Sequence, residues 1–188
     1  MPKFSCLYDM IGKKIMNTKS NKSNNRNLKY WMVVETVENF HVLKDSDFEV
    51  FGFEDRFDEM TQTIRENDRI LFYLAGVRSW AATAIITTET FHDDSPLYGS
   101  KSIGELRPNR VKLQPRMVLN DEEFIDASVI APRLDYLKFW YPEDWPLAFI
   151  ELMHLLPARD FRLIESEMKR IIIKDSSQRQ INKKPRVS

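Results

Sequence analysis

Asp68-Arg69-Ile70-Leu71-Phe72-Tyr73-Leu74-Ala75-Gly76-Val77-Arg78-Ser79-Trp80 is the stretch on which the fold class turns. From Ile70 to Leu74 every side chain is apolar or aromatic, the composition of a buried strand entered from a polar turn at Asn67-Asp68. A second run, Trp80 to Thr88, is rich in Ala, Ile and Thr and follows after only a short connection. That spacing predicts an antiparallel hairpin.

Working toward the N-terminus, Tyr30-Trp31-Met32-Val33-Val34 reads as another buried strand. Thr36 is placed to cap a helical turn through Glu38, Asn39 and His41. The loop from Asp45 to Phe57 is unusually aromatic, carrying Phe48, Phe51, Phe53 and Phe57. A short helix near 57–65 puts Phe57, Met60 and Ile64 on one face. Toward the C-terminus, a polar loop from Phe91 to Gly104 precedes the alternating strand Arg110-Val111-Lys112-Leu113. Met117-Val118-Leu119 continues that strand after Pro115, which predicts a bulge or an edge. Residues 121–137 read as helical turns broken at Pro132, and Leu147 to Met153 as a strand or a helix. Pro157-Ala158-Arg159-Asp160 opens a helix to about Ile173, with Phe161, Ile164, Met168 and Ile171 on one face. Many short strands with few helices predict an α+β fold, a closed or partly closed mixed β-barrel with short helices packed around it.

The chain of 188 residues is 43% hydrophobic and 12% aromatic, enough for one domain with a real core. Its 5 glycines leave little for a phosphate-binding loop, and one cysteine, Cys6, excludes an internal disulfide. No apolar run approaches the roughly 20 residues of a membrane helix, and no secretory signal is recognisable, so a cytoplasmic protein is expected. Residues 17–27 have no apolar side chain, which predicts a flexible basic arm over 1–28, a domain over 29–173 and a disordered basic tail over 174–188. Residues 1–29 and 169–188 each hold seven bases and one acid. Subtracting these from 28 bases and 28 acids leaves 14 and 26 for residues 30–168, a net charge of −12. Non-specific affinity for nucleic acid comes mostly from phosphate neutralisation, which an acidic body does not supply as a whole.

Several segments, in order, resemble the EVE family. They are Lys29-Tyr30-Trp31-Met32-Val33-Val34 with Glu38-Asn39-Phe40, then Asn67 to Gly76, Asp94-Ser95-Pro96-Leu97-Tyr98, Arg110 to Pro115, and Leu156-Pro157-Ala158-Arg159-Asp160-Phe161-Arg162-Leu163-Ile164. The resemblance implies a PUA-like barrel related to the YTH domains, which read methylated adenine in RNA. It also implies a binding module rather than an enzyme, one that accepts a modified base of DNA or RNA, such as 5-methylcytosine or a methylated adenine, in an aromatic pocket. No cofactor is implied.

Such a reader takes a base out of the stack and replaces the lost stacking with aromatic faces, at roughly 1–3 kcal/mol per base. The resemblance places Glu35, Thr36 and Asn39 where base-edge contacts are made, though Thr36 serves equally as a helix cap. Phe51 and Phe53 fall where the family has a cage Trp, and Tyr98 where it has Trp after Ser-Pro. Arg78, Ser79 and Trp80 lie in the hairpin connection; Arg78 can reach a phosphate or base, while core is the ordinary place for Trp80. Phosphate contacts are expected from Lys101, Arg107, Arg110, Lys112 and Arg116, which stand against one acid, Glu105, in residues 101–116.

The alternative is a protein–protein adaptor, binding a partner protein or a second copy through the aromatic cluster Phe139, Trp140, Tyr141 and Trp145. His92-Asp93-Asp94 is the one tight His/carboxylate cluster and predicts no metal site by itself. Neither a nucleophile elbow nor a Walker or dinucleotide motif is present.

Overall fold

The computed structural model describes residues 27–97 and 107–182. Strand β1 (Tyr30–Glu35) leads into helix α1 (Val37–Asp45), and β2 (Val50–Phe53) into a 3₁₀ turn and helix α2 (Asp58–Thr61). The hairpin β3 (Arg69–Leu74) and β4 (Ser79–Ile86) follows, then β5 (Phe91–His92) and the long β6 (Asn109–Val118). A string of short turns includes β7 (Ile125–Asp126) and α3 (Ala127–Ile130), and the chain ends in β8 (Met153–Leu155) and α4 (Ala158–Asn182). The sheet runs β2-β6-β4-β3-β1-β8, with β5 on β6 and β7 on β4. It is an α+β fold with a curled, half-barrel sheet, open between its terminal strands β2 and β8. Among the described residues no helix is long and apolar enough to cross a membrane.

The hairpin forms as expected, β3 and β4 pairing antiparallel with a register shift between Phe72 and Tyr73. A further irregularity opposite Pro115 marks the expected bulge in β6. The pairing of β1 with β3 was not foreseen: it is parallel, Trp31 opposite Ile70 and Glu35 opposite Leu74. This pair is buried on both faces, which is why neither strand alternates in polarity. Trp31, Val33, Ile70, Phe72 and Leu74 face the inside of the curl with Phe40, Phe48, Phe51 and Val111. Met32, Val34, Leu71 and Tyr73 face the other way, under Phe161, Ile164 and Met168 of α4.

The aromatic loop between α1 and β2 is thereby explained. Asp47 and Phe48 both adopt positive φ, at 54° and 58°. That turn drives the Phe48 ring between Phe40 (5.9 Å) and Phe72 (5.7 Å). Left-handed backbone at a bulky residue is costly, and here ring burial offsets it.

Two expectations shift at the C-terminal end. Residues 147–153 are neither one strand nor one helix: Trp145–Phe149 is a 3₁₀ turn with Pro146 near its start, and only Met153–Leu155 joins the sheet, antiparallel to β1. Proline lacks the donor that a strand ladder needs. Helix α4 runs to Asn182 rather than about 173, there being no Gly or Pro to end it.

His154 of β8 is buried, its Nδ1 2.9 Å from the Tyr136 hydroxyl and its Nε2 2.6 Å from the Glu151 carbonyl. Nε2–H donating to the carbonyl and Nδ1 accepting from the phenol describe a neutral ring. Burial lowers its pKa from 6.5 to about 4. Between those values the unfolded chain binds a proton that the folded chain refuses, so stability falls as pH drops through the window. In urea denaturation, wild type should lose about 3 kcal/mol relative to His154→Gln between pH 7 and pH 4. Parallel pH profiles for the two proteins would rule out His154 as the cause.

Candidate functional site

At the C-terminal end of β1 the chain turns into α1 through Glu35 and Thr36. Thr36 is the N-cap, its Oγ1 accepting from the backbone N–H of Asn39 at 3.1 Å. Glu35 is a buried carboxylate at the last position of the strand. Its Oε2 accepts from the Thr36 N–H (3.2 Å) and from Asn39 Nδ2 (3.1 Å). Its Oε1 accepts from Nη1 of Arg107, also buried. A buried carboxylate with two neutral donors and a guanidinium is well satisfied, while loss of either ionic partner leaves a charge desolvated.

Around this pair lies a narrow cleft lined by Val34, Phe51, Gly52, Phe53, Phe57 and Met153, among others. It sits at the opening of the half-barrel, where the end of β1 meets the terminal strands β2 and β8. Its water-sized space is about 10 Å³, room for roughly one water. Phe51 presents its ring 6.0 Å from the Arg107 guanidinium carbon. Gly52 lets Arg107 come this close: a Cβ there would meet Arg107 Cβ, Arg107 O and Leu97 Cδ2, each at 2.7 Å. Exposed Arg56 marks one rim, 4.6 Å from the Phe57 ring centre and 2.8 Å from Glu54 Oε2.

The structure brings together Glu35, Thr36, Asn39, Phe51 and Phe53 of the expected site. It separates Trp80. That indole is fully buried on the opposite face of the sheet, 6.1 Å from Tyr73 and 6.3 Å from Phe149. Strand alternation decides this, since Trp80 pairs with Tyr73, whose ring points toward the α4 layer. Ser79 turns back on its own turn, its hydroxyl donating to the Val77 carbonyl at 2.9 Å. Arg78 is exposed at the hairpin tip with φ 49°, and its charge partly offsets the burial that raises the Tyr73 phenol pKa. Phe51 and Phe53 are core residues as much as cleft walls, stacked edge-to-face at 5.0 Å. Tyr98 and Lys101 lie outside the described residues.

The expected phosphate strip is corrected in the same way. Arg107 and Arg110 point inward. Arg110 is a structural clamp, its Nη1 donating to Asp93 Oδ2 (2.7 Å) and Ser95 Oγ (3.0 Å), its Nη2 to the Ser95 carbonyl and its Nε to the Arg107 carbonyl (3.2 Å). Lys112 is exposed. Arg116 is also exposed and pairs with Glu165 of α4 at 2.9 Å. The loop carboxylates are occupied too: Asp93 serves Arg110, and Ser95 donors hold its carboxyl below the usual range. His92 pairs with Asp94 at 3.0 Å in solvent. Among the described residues no group of three or more His, Cys, Asp or Glu could hold a metal. In the aromatic cluster, Trp140 and Trp145 pack against the core, while Phe139 and Tyr141 stay exposed. Phe57 and Met153 were not foreseen in the cleft, because long-range packing brings them there.

No protein-family model matches this chain. A UPF0310 protein of Pyrococcus abyssi (strain GE5 / Orsay) is 24% identical over 148 residues, 74% of this chain and 99% of that protein. Among solved structures, the YTH domain-containing protein mmi1 in complex with RNA aligns with a TM-score of 0.59 at 7% identity. That alignment covers 87% of this chain and 97% of the other. The chain shares its fold with YTH domains. A small protein from Rhodopseudomonas palustris has the same fold, with a TM-score of 0.51, 13% identity and coverage of 76% and 94%.

The inward arginines give a stability test. Arg110→Ala should cost about 1–3 kcal/mol in chemical denaturation, by emptying the buried seat of the arginine and breaking its bonds to Asp93, Ser95 and the Arg107 carbonyl. Lys112→Ala should stay within about 0.5 kcal/mol of wild type. Gly52→Ala should cost about 1–3 kcal/mol, by pushing Arg107 off its seat.

Proposed function

We propose that this protein is a nucleic-acid-binding module that receives a single, modified base in the cleft between the end of β1 and β2. The observation that carries the reading is the fold itself, shared over nearly its full length with a YTH domain solved with RNA. The cleft adds the required chemistry: an aromatic wall at Phe51, Phe53 and Phe57, and a polar floor at Glu35, which Asn39 holds in place. A methylated base, such as 5-methylcytosine or a methylated adenine, suits a wall of rings because the methyl group adds apolar contact. The cleft has to open to admit it, since the unliganded space holds about one water. Backbone affinity is modest in this reading. The body is acidic, and Arg107 and Arg110 are engaged inside it. Exposed Arg78, Lys112 and Arg116 remain for phosphates on the described surface.

Fluorescence anisotropy with short single-stranded RNA and DNA, with and without one 5-methylcytosine or N6-methyladenine, tests this reading. One modified strand should bind at least about tenfold more tightly than its unmodified twin. If Arg78, Lys112 and Arg116 are the phosphate contacts, log affinity should fall with log salt at a slope of about −2. Equal affinity for every modified and unmodified strand would remove the modified-base claim, and a slope several times steeper would point to the basic termini as the binding element.

A further inference from the structure

Glu35 and Arg107 are an unusual pair to find at the floor of a cleft meant for a base. A planar guanidinium lies beside the Phe51 ring, 6.0 Å from its centre, and donates N–H to a buried carboxylate. An amino-bearing base makes the same kind of edge contact: an exocyclic amine donating to an acceptor, with an aromatic ring close by. The carboxylate is held independently of the arginine, because Thr36 N–H and Asn39 Nδ2 both bind Oε2. Oε1 is the oxygen that Arg107 takes. Two lone-pair directions on that oxygen become available to a ligand once the guanidinium leaves.

Resting on the reading of this cleft as a base pocket, we propose that Glu35 selects bases with an exocyclic amino group. In the ligand-free protein, Arg107 occupies the place of that amine. Carboxylates accept well from the amino group of cytosine. Uracil and thymine present a carbonyl at the same position, and two acceptors facing each other in a desolvated cleft repel. Exit of Arg107 needs no change in its backbone, which stays anchored by the Arg110 Nε bond to its carbonyl (3.2 Å). A rotated guanidinium at the cleft mouth is then free to meet the phosphate next to the captured base, a site where arginine is well suited.

The pair also explains why the cleft is nearly full without ligand. Occupancy by an internal guest lowers apparent affinity by the fraction of molecules in which it is seated. It also keeps a buried carboxylate from standing uncompensated between encounters.

The test uses the full chain and a uridine-only single strand with one central position varied as U, C, A or G. Wild type should bind at least one amino-bearing strand tenfold or more tightly than the uridine strand, and comparison of C, A and G identifies which. Glu35→Gln, whose amide both donates and accepts, should bring the uridine strand within about threefold of the others. Arg107→Gln, which retains a donor for Glu35 but vacates the ring, should tighten binding of the preferred strand several-fold. In wild-type protein, the Arg107 Nε–H NMR signal should move on adding the preferred strand and stay in place with uridine alone. This last measurement needs no variant to fold. Binding by wild type without preference between amino and carbonyl bases, or a preference untouched in a folded Glu35→Gln, overturns this proposal and leaves the base-cleft reading standing. Failure of every strand, modified ones included, to bind overturns both.

Discussion

Burial of the parallel β1–β3 pair on both faces is the constraint on which the other features depend. Each strand sends alternate side chains into different cores, so Trp31 and Phe72 fill the curl while Met32 and Tyr73 sit under α4. Such a pair has no solvent face to absorb error. Its N-terminal end is tied by Asp68, whose carboxylate accepts from Lys29 N–H, Trp31 Nε1 and Arg65 N–H, each at 3.1 Å. At the other end, Ala75 N–H donates to the Glu35 carbonyl at 3.0 Å. Glu35 is thereby delivered to one fixed point, where α1 begins and where β2 and β8 converge. The cleft is a consequence of that arrangement, as strand ends often are in folds that bind ligands.

Charge follows the same logic. The acidic middle of the chain spends two of its bases internally, Arg107 on Glu35 and Arg110 on Asp93 and Ser95. Inward arginines tie down the edge formed by β2, β5 and β6 and take no part in the outer surface. In the proposed reading, a body that is acidic as a whole gains little from phosphates alone. Selectivity in that reading rests on the residues of the cleft more than on surface charge.

The hairpin, the bulge at Pro115, the Thr36 cap and the amphipathic start of α4 were legible because each is written in local residue order. Thr36 needs only Asn39 three residues on; the hairpin needs only two apolar runs and a short turn. Trp80 was left open between pocket and core, and Arg107 was misjudged, for the opposite reason. An indole at the start of a strand belongs to either face until register is known, and the register shift between Phe72 and Tyr73 is not visible in composition. Arg107 was counted as a phosphate contact because it stands among the bases of residues 101–116. Its partner Glu35 lies 72 residues away.

By itself, then, the sequence determined the inventory: strands and helix caps, a core rich in phenylalanine, an acidic body with basic ends. These depend on neighbouring residues, and local propensity and hydrophobic period report them directly. Tertiary structure alone decided which face each strand showed to which core, which arginines were consumed, and that Glu35, Phe51 and Arg107 share one cleft. Those outcomes depend on pairings between distant segments, where low dielectric turns a carboxylate and a guanidinium that are strangers in sequence into obligate partners.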